Sequence, residues 1–90
     1  MDTSWDLDKA QANFLKHRIA FGDAEAVLDD PSGLTREDPD ARGERRFVTV
    51  GGDALGRIVT VVYTYRGDHV RLISARPATR TERDTYAQGI

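Results

Sequence analysis

Four arginines, Arg71, Arg76, Arg80 and Arg83, crowd the stretch VRLISARPATRTERDTYA at residues 70–87. A guanidinium is a planar fork of donors that grips phosphate or carboxylate in bidentate fashion and stacks on bases. Arg45 and Arg57 stand on the runs just before this stretch. So many like charges repel one another unless carboxylates or phosphates neutralise them, and Glu44, Glu82 and Asp84 can neutralise only part of the group. Two readings stand side by side: a solvated, partly ion-paired surface, or a site for a phosphate-bearing polymer.

Other chemistries have little to work with. Cysteine is absent, which excludes a disulfide framework, a thiolate nucleophile and cysteine-ligated zinc. The two histidines, His17 and His69, are not a pair at helical spacing, and no Asp/Glu/His cluster has a ligand pattern, so neither a metal site nor a cofactor is expected. Ser32 and Ser74 lack a nucleophile-elbow context. The glycine-rich GGDALG at residues 51–56 joins two strands, which makes it a hairpin and not a phosphate cradle.

The net charge of −2 hides a division. Residues 1–44 hold five Lys or Arg against eleven Asp or Glu, or −6, whereas residues 45–90 hold eight against four, or +4. Every basic residue of the second half is arginine. No apolar run approaches the roughly 20 residues that span a bilayer, and MDTSWDLDKA lacks the basic and apolar halves of a signal peptide, so a soluble cytoplasmic protein without membrane contact is expected.

The elements that must position these side chains fit one small domain over residues 1–90. Asp6 can cap a helix over residues 8–18, whose apolar members include Ala10, Phe14 and Leu15. Phe21, Ala24, Val27 and Leu28 recur at helical spacing until Pro31 stops a short second helix. The Asp-, Pro- and Gly-rich stretch that follows predicts a loop, with room for a brief edge strand at Leu34 and Thr35. From Arg45 the period changes to two, in RRFVTVGG, RIVTVVYTYRG and HVRLISAR, and the short connections predict a three-strand antiparallel meander. Thr79 and Glu82 have capping-box spacing, and with Gly89 at the far end they predict a final helix over residues 80–88. The class is therefore α+β, a small antiparallel sheet with two N-terminal helices and one C-terminal helix. The middle strand is apolar on both faces, Val59, Val61, Tyr63 and Tyr65 against Ile58 and Val62, so either a partner chain covers one face or the terminal helices wrap both.

The blocks SWDLDKAQANFLKHRIAF, ERRFVTVGG, GRIVTVVYTYRG and VRLISARPATRTERDTY resemble, in this order and spacing, the BrnT toxins of bacterial type II toxin–antitoxin pairs. Trp5-Asp6, Lys16-His17, Glu44-Arg45, Ile73-Ser74-Ala75-Arg76 and Glu82-Arg83 carry the resemblance. It implies a compact fold similar to RelE toxins and a ribonuclease that inhibits translation. It also implies a cognate BrnA-like ribbon-helix-helix antitoxin that reaches operator DNA on the toxin's behalf, and it leaves room for a homodimer within the complex. Relatives usually read Lys-His-Gly where this chain has Lys16-His17-Arg18, so a differently shaped helix end is expected here.

RNA cleavage without metal proceeds by attack of a ribose 2′-hydroxyl on the adjacent phosphate, which requires proton transfers and stabilisation of a more highly charged transition state. Arg76 and Arg83 are the first choice for that stabilisation, with Arg45 next. His17 or Lys16 could move protons, histidine being the side chain whose free form titrates near neutrality; helix capping or packing is the competing role for His17. Arg57, Arg71 and Arg80 are candidate RNA contacts, as are Tyr63 and Tyr86, although aromatics on a strand or helix are more often core. The competing functional reading is a catalytically weak or inactive toxin-derived module that complexes the antitoxin and modulates repression of their operon. A stand-alone nucleic-acid-binding domain is disfavoured by the acidic first half.

Overall fold

The computed structural model describes residues 2–89. Five strands, β1 (Thr3–Ser4), β2 (Leu34–Glu37), β3 (Phe47–Gly52), β4 (Ile58–Arg66) and β5 (His69–Pro77), form one sheet in the order β1-β5-β4-β3-β2. The helices are α1 (Leu7–His17), α2 (Phe21–Ala24), which continues as a 3-10 helix over Glu25–Asp29, and α3 (Arg80–Gln88). The expected meander is β3-β4-β5, and the edge strand at Leu34 is β2, antiparallel to β3. The sheet as a whole is mixed, because β1 joins β5 in parallel through Thr3 beside Val70 and Ser4 beside Arg71. Two residues are too few to show a period, which is why that pairing left no mark on the sequence pattern.

Alternation sorts the strands into two faces. Val59, Val61 and Tyr63 of β4 and Val70, Leu72 and Ala75 of β5 share one face, and Phe21, Ala24 and Val27 close over it together with Ile19. Trp5 adds an edge-on contact to Phe21 with ring centroids 5.9 Å apart. A bulge between Val62 and Tyr63 slips the β4–β5 register by one, so Leu72 and Ala75, three residues apart, both reach the core.

The first helix begins where expected, Asp6 accepting from the Asp8 and Lys9 backbone N–H groups. Its buried stripe is different. Asn13 is buried, whereas the apolar Phe14 and Leu15 are 43% and 63% exposed. The Asn13 carboxamide accepts from Ala75 N–H at 3.1 Å and donates to Ala75 C=O at 2.8 Å and to Ile19 C=O at 3.1 Å. It stands where β1 has ended, a side-chain amide taking the place of a strand's peptide group. Arg18 closes the helix at φ 60°, the left-handed conformation that glycine adopts freely, with its N–H bonded to Phe14 C=O. The helix therefore ends as a glycine would end it.

The final helix forms at the predicted residues, with the capping box of Thr79 and Glu82 complete and Gly89 at φ 71° closing it. It lies over one end of the second face of the sheet, so the terminal segments cover both faces, the second only in part. No helix among the described residues is long and apolar enough to cross a membrane.

Candidate nucleic-acid interface

The second face is set by register. Leu34, Val50, Thr60 and Arg76 form one row across β2 to β5, and Arg36, Val48, Val62 and Ser74 form the next. Thr64 and Arg71 follow, with Ser4 beyond Arg71, and then Arg66 beside His69. Arg46 precedes Phe47 by one residue and so points to this side, while Phe47 points to the core. Arg36, Arg46, Arg66, Arg71 and Arg76 thus share one face over a floor of valine and threonine, with Val48 and Thr64 only 4% and 2% exposed beneath them.

Glu82 organises the corner between β5 and α3. Its Oε1 accepts from Arg76 Nη1 at 2.7 Å, the Thr60 hydroxyl at 3.0 Å and the Thr79 N–H at 2.8 Å, and its Oε2 accepts from Arg76 Nη2 at 3.1 Å. The fork-to-fork pair with Arg76 is the main cause that holds the Glu82 carboxyl at about 2, against an ordinary 4.5; burial opposes it, and the Thr79 and Thr60 donors add to it. At neutral pH Glu82 is a fixed anion, unsuited to exchanging protons and suited to aiming the Arg76 fork. Arg83, the next residue of α3, donates to Ala78 C=O at 3.0 Å.

Two buried polar atoms of this face lack a protein hydrogen-bond partner among the described residues, Arg46 Nε and Ser4 Oγ. A buried unpaired donor costs free energy that an acceptor from outside would recover. Among the described residues no group of three or more His, Asp or Glu side chains is arranged to hold a metal ion.

Comparison with known proteins agrees with this architecture. The family model of the ribonuclease toxin BrnT of type II toxin–antitoxin systems matches residues 5–82. The chain belongs to the BrnT family. Among solved structures it is similar to the 1.1 Å crystal structure of the Brucella abortus ribonuclease toxin BrnT, at 26% identity and a TM-score of 0.66, over 89% of this chain and 99% of that one. No curated protein sequence matches it.

Within this BrnT fold the residues singled out from sequence fall into three groups. Arg71 and Arg76 lie on the second face, and Arg80 and Arg83 stand on α3, both exposed. Arg45 and Arg57 do not join them. The Arg45 guanidinium lies 5.4 Å from the Phe47 ring centroid and is bonded by Glu37 at 2.7 and 3.2 Å, on the core side of the sheet rim. Arg57 binds Asp53 at 2.6 Å and Arg18 C=O at 3.1 Å, at the β3–β4 hairpin. Lys16 and His17 end α1, Lys16 exposed and His17 half-buried, and among the described residues neither hydrogen-bonds the arginine face.

Tyr63 and Tyr86 both make hydrogen bonds within the fold. Tyr63 is 5% exposed, with its ring stacked on Phe47 and its hydroxyl 2.8 Å from Thr49 Oγ1, so it has no ring face to offer a base. Tyr86 donates to Asp30 Oδ2 at 2.5 Å, which raises its own pKa and helps lower that of Asp30, whose largest stabilising contact is the Gly52 N–H. That bond ties α3 to the end of the 3-10 helix. Sequence reasoning missed Arg36, Arg46, Arg66 and the part played by Asn13. The alternation in RRFV could have separated Arg46 from Arg45.

Proposed function

We propose that the protein is a metal-independent endoribonuclease toxin that cuts RNA on the arginine face of its sheet and thereby arrests translation in the cytoplasm. The observation that carries this reading is the Arg76–Glu82 pair at the β5–α3 corner, a bidentate guanidinium aimed by a carboxylate that stays ionised. As the 2′-hydroxyl attacks the neighbouring phosphorus, charge builds on the non-bridging oxygens, and Arg76 with Arg83 stabilises it. Arg71 and Arg80, joined by Arg36, Arg46 and Arg66, hold the phosphates of the flanking strand. Lys16 or His17 takes the hydroxyl proton or returns one to the leaving 5′-oxygen. The fold is read as a relative of the RelE toxins. A BrnA-like ribbon-helix-helix antitoxin is the proposed silencing partner, through which the complex reaches operator DNA.

One observation favours the alternative, an inactive module that only binds its antitoxin: Glu82 already fills the Arg76 fork that a phosphate would need. Two measurements decide. Purified protein in excess EDTA is expected to cut single-stranded RNA, and induced expression without antitoxin is expected to arrest growth. Cleavage abolished by EDTA and restored by one specific metal overturns metal independence. Absence of both cleavage and arrest leaves the module.

A further inference from the structure

We infer that the groove between β2, β3 and α3 is a nucleobase subsite that selects a base carrying an amino group on its pairing edge; this rests on the ribonuclease reading above. The groove encloses about 220 Å³. The sheet contributes Leu34, Val48 and Val50 to its lining, and α3 contributes Thr81 and Thr85. Arg36 and Glu82 are its two charged lining residues. An apolar surface and a guanidinium plane are what an unstacked base of single-stranded RNA requires. A larger cavity, about 370 Å³, lies among Glu37, Asp38, Glu44 and Arg45, where carboxylates outnumber the one guanidinium.

Selectivity follows from how Glu82 is used. Its Oε1 already accepts three hydrogen bonds, whereas its Oε2 accepts only one, from Arg76 at 3.1 Å, and keeps lone-pair capacity. An exocyclic amine of cytosine, adenine or guanine can donate to that oxygen. Uracil has no amine, and its one pairing-edge donor, N3–H, lies between two carbonyls that the carboxylate repels. One Arg–Glu pair then holds the reacting phosphate through Arg76 and reads the neighbouring base through Glu82.

The test cuts a random-sequence RNA pool with the full chain and sequences the ends. The expected result is one position beside the cut at which uracil is depleted roughly 10- to 100-fold, the loss of one hydrogen bond to a charged group. Thr85→Trp and Thr81→Phe fill the groove from exposed helix positions where folding tolerates bulk, and each is expected to flatten that preference; retained far-ultraviolet circular dichroism and melting show that they fold. The same comparison is made by equilibrium binding of 2′-O-methyl oligonucleotides, which lack the attacking hydroxyl. A parent that binds with the preference but does not cut refutes the ribonuclease reading and leaves the subsite. A parent that cuts with no uracil depletion, or groove variants that keep the parent's profile, overturns the subsite. If those variants instead lose only the antitoxin, the groove belongs to that partner and the inference falls.

Discussion

On the core face of the sheet, Val59, Val61 and Leu72 meet Phe21, Ala24 and Val27, each at most 2% exposed, whereas α3, which covers part of the other face, buries none of its own residues. That helix is held by directional bonds: the capping box, the Glu82 contacts to Thr60 and Arg76, and the Tyr86–Asp30 bond. Apolar burial is indifferent to small shifts and to pH, and it sets whether the chain folds. A helix pinned by ions keeps side chains at fixed distances and responds to whatever competes for those ions. The two faces therefore fail separately, and each failure has its own signature.

The largest effect is expected on the core face. Phe21→Ala should cost about 3–5 kcal/mol, most of the stability of a domain this small, read as a fall in the urea midpoint. Full retention of that midpoint would remove the contrast between the faces. Next, Arg76→Ala should lower cleavage about a hundred- to thousandfold, or about 2.7–4 kcal/mol of transition-state stabilisation, and should abolish growth arrest. Sequence reasoning alone expects this variant to fold almost unchanged, but the pair with Glu82 adds a stability cost of about 1–3 kcal/mol for the carboxylate left behind. Arg76→Lys should restore part of the rate, since it keeps the charge without the fork. Arrest by Arg76→Ala equal to that of the parent would refute the assignment.

Acid sharpens the same comparison. Because folding lowers the Glu82 pKa from 4.5 to about 2, its contribution is fully present above 4.5 and is lost as pH falls toward 2. The loss is at most about 3 kcal/mol. Glu82→Gln should remove that part of the pH dependence in thermal melts while the core signal persists. A smaller effect separates neighbours in sequence: Arg46→Ala should reduce the log–log salt slope of RNA binding by about 0.7, and Arg45→Ala should leave it unchanged. Smallest is a gain: Arg18→Gly should stabilise by about 0.5 kcal/mol, relief of the left-handed backbone outweighing the added freedom of the unfolded chain.

Arg45 and Arg46 show how far the sequence could be read. Alternation, turn residues and the capping box were enough for the meander and α3, because each is a local signal. Whether an arginine belongs to the site depends on its face, and that depends on register, on the bulge at Val62 and on where α3 lands. Arg36 joins the arginine face only because β2 pairs with β3 in one register. Glu82 read as a cap and as a partial neutraliser; its grip on Arg76 needed the corner in three dimensions. Asn13 was hidden for another reason. A polar residue at a helix position reads as solvent-facing, and its partner Ala75 is 62 residues away.

The Asn13 amide also bears on how the molecule survives without a partner. A sheet edge is a template for another chain, and an unfilled N–H and C=O invites fibrous growth. At β5, β1 occupies Val70 and Arg71 and the amide of Asn13 occupies Ala75, so that side is a poor template for a second copy. The opposite edge, β2, spans four residues and carries Arg36 and Glu37. Any chain that extends this sheet by strand addition is steered to β2, beside the groove, and must bring charges to match.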